Sequence, residues 1–173
     1  MHRQRGMTLI EMMIVVAFAS LLLVAAAAYT VPWLAREKMR SAVYDVQTYM
    51  QLARIEAVTR NRACRFVINT DNGRLRVFDT NGTNPTGDDL MLFERTLPAS
   101  VTFARPDPGA AVTLSQIGAS DDYQTVFTSD GIVALGMGEV VLLGGQRFGR
   151  ISVFGAGGIQ VERWTGAAWY VGS

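Results

Sequence analysis

One carboxylate, Glu11, sits near the start of a run that carries no other charge as far as residue 28, and a short basic leader with His2, Arg3 and Arg5 stands before it. With residues 29–34 added, the run reaches the roughly 20 residues that a helix needs to cross a bilayer. In hydrocarbon every backbone N–H and C=O must be paired internally, so a single chain segment can span only as a helix. A charge at that depth costs about 2.5–3.5 kcal/mol on insertion scales, and Glu11 therefore needs a physical reason to be there. Cutting after Gly6 supplies one: it creates an α-amino group at Met7, four residues from Glu11. Amine and carboxylate can then neutralise each other between neighbouring copies. The plainer reading is a carboxylate that snorkels to the headgroups, helped by the positive end of the helix dipole.

The stretch Gly6-Met7-Thr8-Leu9-Ile10-Glu11-Met12-Met13-Ile14-Val15-Val16 resembles the class III leader and mature start of type IV pilins and type II secretion pseudopilins. A second run, Ala53-Arg54-Ile55-Glu56-Ala57-Val58-Thr59-Arg60-Asn61-Arg62, resembles the FimT/GspH family of minor pilins and pseudopilins, as does the glycine-rich segment from about 127 to 164. Two departures stand out: Met7 occupies a place where the family usually has Phe, and Pro32 comes about one helical turn late. The resemblance implies that a prepilin peptidase cuts between Gly6 and Met7 and methylates the Met7 amine, which pairs with Glu11 during assembly. It further implies a bacterial inner-membrane protein with a cytoplasmic N-terminus and a periplasmic β domain. Its partners would be an inner-membrane assembly platform and other minor and major pilins or pseudopilins, in a filament that it helps to initiate at the tip.

Charge alone leaves the orientation ambiguous, because Arg3 and Arg5 precede the span while Arg36, Lys38 and Arg40 follow it, offset only by Glu37. A secretory signal is the competing reading of the same run, with Ala26-Ala27-Ala28 as its cleavage site and a soluble exported binding domain as its product. Glu11 inside the apolar stretch argues against it.

Beyond Pro32 the pattern becomes amphipathic. Met39, Ala42, Val43, Val46, Tyr49, Met50, Ala53 and Ala57 recur at spacings of three and four, while Arg40, Asp45, Gln47, Gln51 and Arg54 take the opposite side. From Ala63 onward short alternating runs read as strands at residues 64–68, 74–78, 90–97, 101–103, 124–127, 132–135, 139–143, 148–154 and 159–164. Residues 104–122, rich in Pro, Gly and small side chains, read as loop. The expected fold class is α+β: a long N-terminal transmembrane and amphipathic helix packed on a C-terminal antiparallel β domain with two small sheets. The expected division is a leader at 1–6, a helix at 7–60 that spans the membrane over about 7–31, and a β domain at 61–173.

Chemistry is scarce. The one histidine is His2, in the leader, so neither a Ser-His-Asp nor a Cys-His arrangement can be assembled, and His/Cys metal ligation fails with it. No catalytic residue, cofactor or metal is expected. Asp88-Asp89 and Asp121-Asp122 lack ordered ligand spacing and read as solvated acids rather than a calcium site. Gly155-Ala156-Gly157-Gly158 reads as a turn between strands, and the lone Cys64 as a buried strand residue.

DNA capture is the alternative function within the same architecture. FimT-like relatives thought to take up DNA carry a Gly-Arg-x-Arg pattern, where this chain reads Gly158-Ile159-Gln160-Val161. Arg147, Arg150 and Arg163 remain nearby, with Trp164 and Trp169 as stacking platforms. A net charge of +1 gives little pull toward a polyanion. Arg54 and Glu56 read as solvent-facing charges at the end of an amphipathic helix.

Overall fold

The computed structural model describes residues 8–81 and 86–171. Helix α1 (Leu9–Arg60) comes first, followed by β1 (Cys64–Asn69), β2 (Arg74–Asp79), a single 3-10 turn (Thr86–Asp88), β3 (Leu90–Thr96), β4 (Thr102–Phe103) and β5 (Ser115–Gln116). The chain continues through β6 (Asp122–Phe127), β7 (Val133–Leu135), β8 (Gly138–Gly144), β9 (Arg147–Val153), β10 (Ile159–Trp164) and β11 (Trp169–Val171). It divides into two compact units, residues 1–35 and 36–173.

In the first unit the helix is apolar all round and uncovered: Leu9, Phe18, Leu22 and Val24 are all exposed. It is long and apolar enough to cross a membrane, and none of its most apolar stretch is buried. The start is fixed locally, since the Thr8 hydroxyl accepts a hydrogen bond from the Glu11 amide at 3.3 Å. The other end is capped by Asn61, whose φ of 51° is left-handed. This lets the Arg62 amide reach back to the Ala57 carbonyl at 3.1 Å.

The second unit is built on the apolar stripe. Met39, Ala42, Val46, Met50, Ala53 and Ala57 are buried, and Val43 and Tyr49 pack against them, so every residue of the expected stripe faces the core. Two antiparallel sheets share that core. One runs β3-β2-β1-β6-β5, with β7 also on β6; the other runs β11-β10-β9-β8-β4. In the first, β1 is central, pairing Phe66 with Val77 on one side and with Thr125 on the other. Phe66, Ile68, Leu75 and Phe127 from this sheet meet Val140, Leu142 and Ile151 from the second around the helix. The β1–β2 connection turns at Gly73 with φ 67°, and the Asn69 side-chain oxygen accepts from the Asp71 and Asn72 amides at 3.1 and 2.9 Å.

The second sheet approaches the helix closely because β9 has a glycine there. A Cβ on Gly149 would lie 2.6 Å from Val43 Cγ2. Two strands fall outside the sequence reading. β5 lies within the stretch read as loop and holds only through Ser115 and Gln116 against β6. β11 pairs Trp169 with Trp164 across a tight turn at the end of the chain.

The outer edge of the first sheet is guarded. Tyr49 on the helix donates its hydroxyl to the Glu94 carbonyl of β3 at 3.1 Å, and Arg95 reaches Asp45 at 3.5 Å. Both contacts occupy an edge that would otherwise invite another strand.

Candidate functional site

Gly6 and Met7, where cleavage and methylation are expected, lie outside the described residues. Glu11 is described, and it is exposed in the first turn of α1. Its surroundings reveal a signal the sequence reading passed over: Thr8-Leu9-Ile10-Glu11 has the S/T-x-x-E spacing of a capping box, with Thr8 in the capping position. The cap satisfies a backbone amide. It leaves the carboxylate charge to be balanced by something else.

The three arginines considered for DNA are not brought together. Side chains alternate across a strand, so Arg147, Gly149 and Ile151 point to the face that packs on the helix, and Arg150 to the opposite face. Arg163 pairs with Gly149 and shares the first face; Arg163 and Arg147 are exposed there. Arg150 pairs across the strands with Glu162, at 2.6 Å, and reaches Glu139 at 3.6 Å. Its guanidinium also lies 4.5 Å from the Trp169 ring centroid, while Trp169 meets Trp164 edge-on at 5.3 Å. Both candidate stacking platforms and the central arginine are thus engaged within the protein, while Arg147 and Arg163 lie exposed on the other face.

That outer face carries a network the sequence reading missed. Arg105 bonds Asp107 at 2.9 Å and Glu139 at 3.4 Å, and the Trp169 indole donates to Asp107 at 3.3 Å. The Arg105 hydrogen bond, aided by the indole, holds the Asp107 carboxyl down to about 2. Beside the network is an open groove of about 450 Å³ whose lining includes Met137 and Phe154 together with Glu139, Arg150 and Glu162. The network depends on strand register, which no local pattern in the sequence reveals.

Arg54 differs from its expected solvent-facing role. It is half-buried and donates from Nε to the Gly131 carbonyl at 2.9 Å, tying the helix to the turn before β7. Glu56 pairs with Arg60 at 2.7 Å, one turn along the helix. The paired acids also have protein partners. Asp89 is ion-paired with buried Arg65, and Asp122 with Arg76 at 2.7 Å. Among the described residues no group of His, Cys, Asp and Glu is placed to hold a metal ion. Cys64 is fully buried in β1, and burial pushes its thiol up to about 11.

The chain is similar in fold to the type IV minor pilin FimU of Pseudomonas aeruginosa, with a TM-score of 0.53 at 18% identity over 78% of this chain and 94% of that one. The minor pseudopilin EpsH of the Vibrio cholerae type 2 secretion system gives a TM-score of 0.47 at 16% identity, over 72% of this chain and 95% of that one. No curated protein sequence matches it. Residues 1–27 match the prokaryotic N-terminal methylation motif. Residues 42–157, from near the start of the buried stripe to the turn before β10, match the family described as type II transport protein GspH, and to that family the chain belongs.

Proposed function

We propose that the chain is processed after Gly6, methylated at Met7 and drawn into a type IV filament of a pilus or a type II secretion system. Glu11 then pairs with the freed amine of an adjacent subunit. Membership of the GspH family makes the chain a minor pilin or pseudopilin, a structural and non-catalytic subunit. The observation that carries the finer reading is Glu11 itself, an exposed carboxylate in the first turn of a helix whose following apolar stretch is wholly uncovered. A filament offers that helix both protein surface and a counter-charge. The amine at Met7 is at the right place in the chain to be that counter-charge.

In this reading residues 1–6 are the leader, 7–31 the span and 61–173 the β domain. The N-terminus is cytoplasmic before assembly and the β domain periplasmic. A prepilin peptidase, an inner-membrane platform and other pilins or pseudopilins act on it in turn, and it takes a place near the tip.

The capping geometry supplies a discriminating experiment. Glu11→Gln preserves the N3 residue of the cap and removes the charge, whereas Glu11→Ala removes both. If the charge pair drives assembly, both variants insert and are processed but enter sheared filaments poorly. Normal incorporation of the Gln variant would leave Glu11 with no more than a capping role.

A further inference from the structure

Arg147, Arg163, Asp71 and Asp121 are exposed and, among the described residues, their side chains have no hydrogen bond, ion pair or ring contact. All four belong to the second unit. The arginines lie where the second sheet emerges from under the helix. Met39 covers Gly144 and Val43 covers Gly149, and the cross-strand partners of these glycines are Arg147 and Arg163. Directly opposed residues of an antiparallel pair share a face, so each arginine stands one strand beyond a glycine that the helix covers. Gly145 and Gln146 turn the chain with φ of 56° and 64°, a tight hairpin geometry that fixes where Arg147 leaves the sheet. Glu139 and Glu162, the acids of these strands, lie on the opposite face with Arg150, so the strands bring no acid to this basic shelf.

The two acids stand at the end of the first sheet, where two turns are tied together. The Thr70 amide and hydroxyl both donate to the Asp121 carbonyl, at 2.9 and 3.3 Å, and the Asp71 amide donates to the Asn69 side chain at 3.1 Å. Asp122, the next residue, is already held by Arg76. Asp71 and Asp121 are left as a braced acidic corner without a counter-charge.

We propose that the Arg147–Arg163 shelf of one copy receives the Asp71–Asp121 corner of a second copy. The contact deepens the filament reading and rests on it: copies related by a rotation and a rise meet through unlike patches, so one subunit must carry both halves. Charge complementarity chooses the occupant, since two unpaired cations on one sheet match two unpaired acids at the end of the other. Exposed ion pairs are weak singly, each shifting an association by about 1.5- to 5-fold. The contact therefore sets how neighbouring β domains are turned and does not hold subunits together by itself.

Two differently tagged forms of the full-length protein are mixed in detergent micelles and their co-capture is measured, using variants whose circular dichroism matches the wild type. Wild-type copies associate, and the association is lost at about 1 M salt, where the screening length is about 3 Å. R147E/R163E and D71R/D121R, each alone, weaken it by roughly threefold to twentyfold, and R147A/R163A, which adds no repulsion, moves it in the same direction. Mixing R147E/R163E with D71R/D121R restores it, because every acid then faces a base again. Failure of that mixture to recover overturns the proposal, as does absence of wild-type co-capture or co-capture that none of these variants changes. Retention of DNA or of anionic lipid in place of a second copy, abolished by R147E/R163E, overturns it as well by giving the shelf another occupant. Glu11→Gln keeps the co-capture, so loss of the β-domain contact and loss of the proposed Glu11 pair are read separately.

Discussion

Replacing Gly149 by Ala tests whether the helix and the second sheet meet as closely as the fold requires. The added Cβ lands 2.6 Å from Val43 Cγ2 and 3.1 Å from Met39 Cε. Met39 is unbranched and can swing aside. Val43 is β-branched and within a helix is held almost entirely to one rotamer, so its methyl cannot retreat. The strain must enter the backbone, and overpacking of this kind costs about 1–3 kcal/mol. With an m-value of about 2 kcal/mol/M, the urea midpoint of the full-length protein in detergent micelles falls by roughly 0.5–1.5 M.

Val43→Ala removes the offending methyl and costs about 1–2 kcal/mol by itself through lost burial. In that background Gly149→Ala fits without strain, and the double variant is no less stable than Val43→Ala alone, to within about 0.5 kcal/mol. The cycle therefore predicts a coupling of about 1–3 kcal/mol between the two positions. Strictly additive effects would show that Gly149 is small for some reason other than the helix above it.

Two further perturbations read other parts of the second unit. Cys64 has a thiol raised to about 11 from an ordinary 9.0 by burial, so the unfolded chain releases its proton at lower pH than the folded one. Its contribution to stability is full below pH 9 and is lost as pH climbs toward 11, by at most roughly 3 kcal/mol. The alkaline fall in stability should be smaller in Cys64→Ala, and the native thiol should resist a thiol reagent at pH 8 until denaturant is added; rapid native labelling would contradict its burial. Arg54→Ala removes the 2.9 Å bond to the Gly131 carbonyl. A loss of about 1–2 kcal/mol is expected, with faster hydrogen exchange at residues 129–133, and unchanged exchange there would deny Arg54 its tethering role.

The parts of this molecule that were legible beforehand are those written in local periodicity. Met39 to Ala57 at spacings of three and four specify which side of the helix is covered, because burial of that stripe is the same physics wherever its partner comes from. The strands from Cys64 to Phe78 announced themselves by alternation and by the Asp71-Asn72-Gly73 turn. β5 and β11 had no such signal, since two or three residues can borrow an edge from a neighbour without any pattern of their own. The Arg105–Glu139–Arg150–Glu162 network was equally silent, because it joins residues that only strand register places side by side. Arg54 misled for a related reason: charge at the end of an amphipathic helix ordinarily meets water, and here a turn 77 residues away supplies a carbonyl instead. Thr8, by contrast, was readable, and the capping spacing to Glu11 was overshadowed by the charge itself.

The mass and N-terminal sequence of the chain recovered from bacterial membranes test the central claim most directly. The account predicts a polypeptide that has lost residues 1–6 and carries one methyl group on the amine of Met7, four positions from the carboxylate it serves. A chain that keeps its leader, or one that begins at Tyr29, would contradict it.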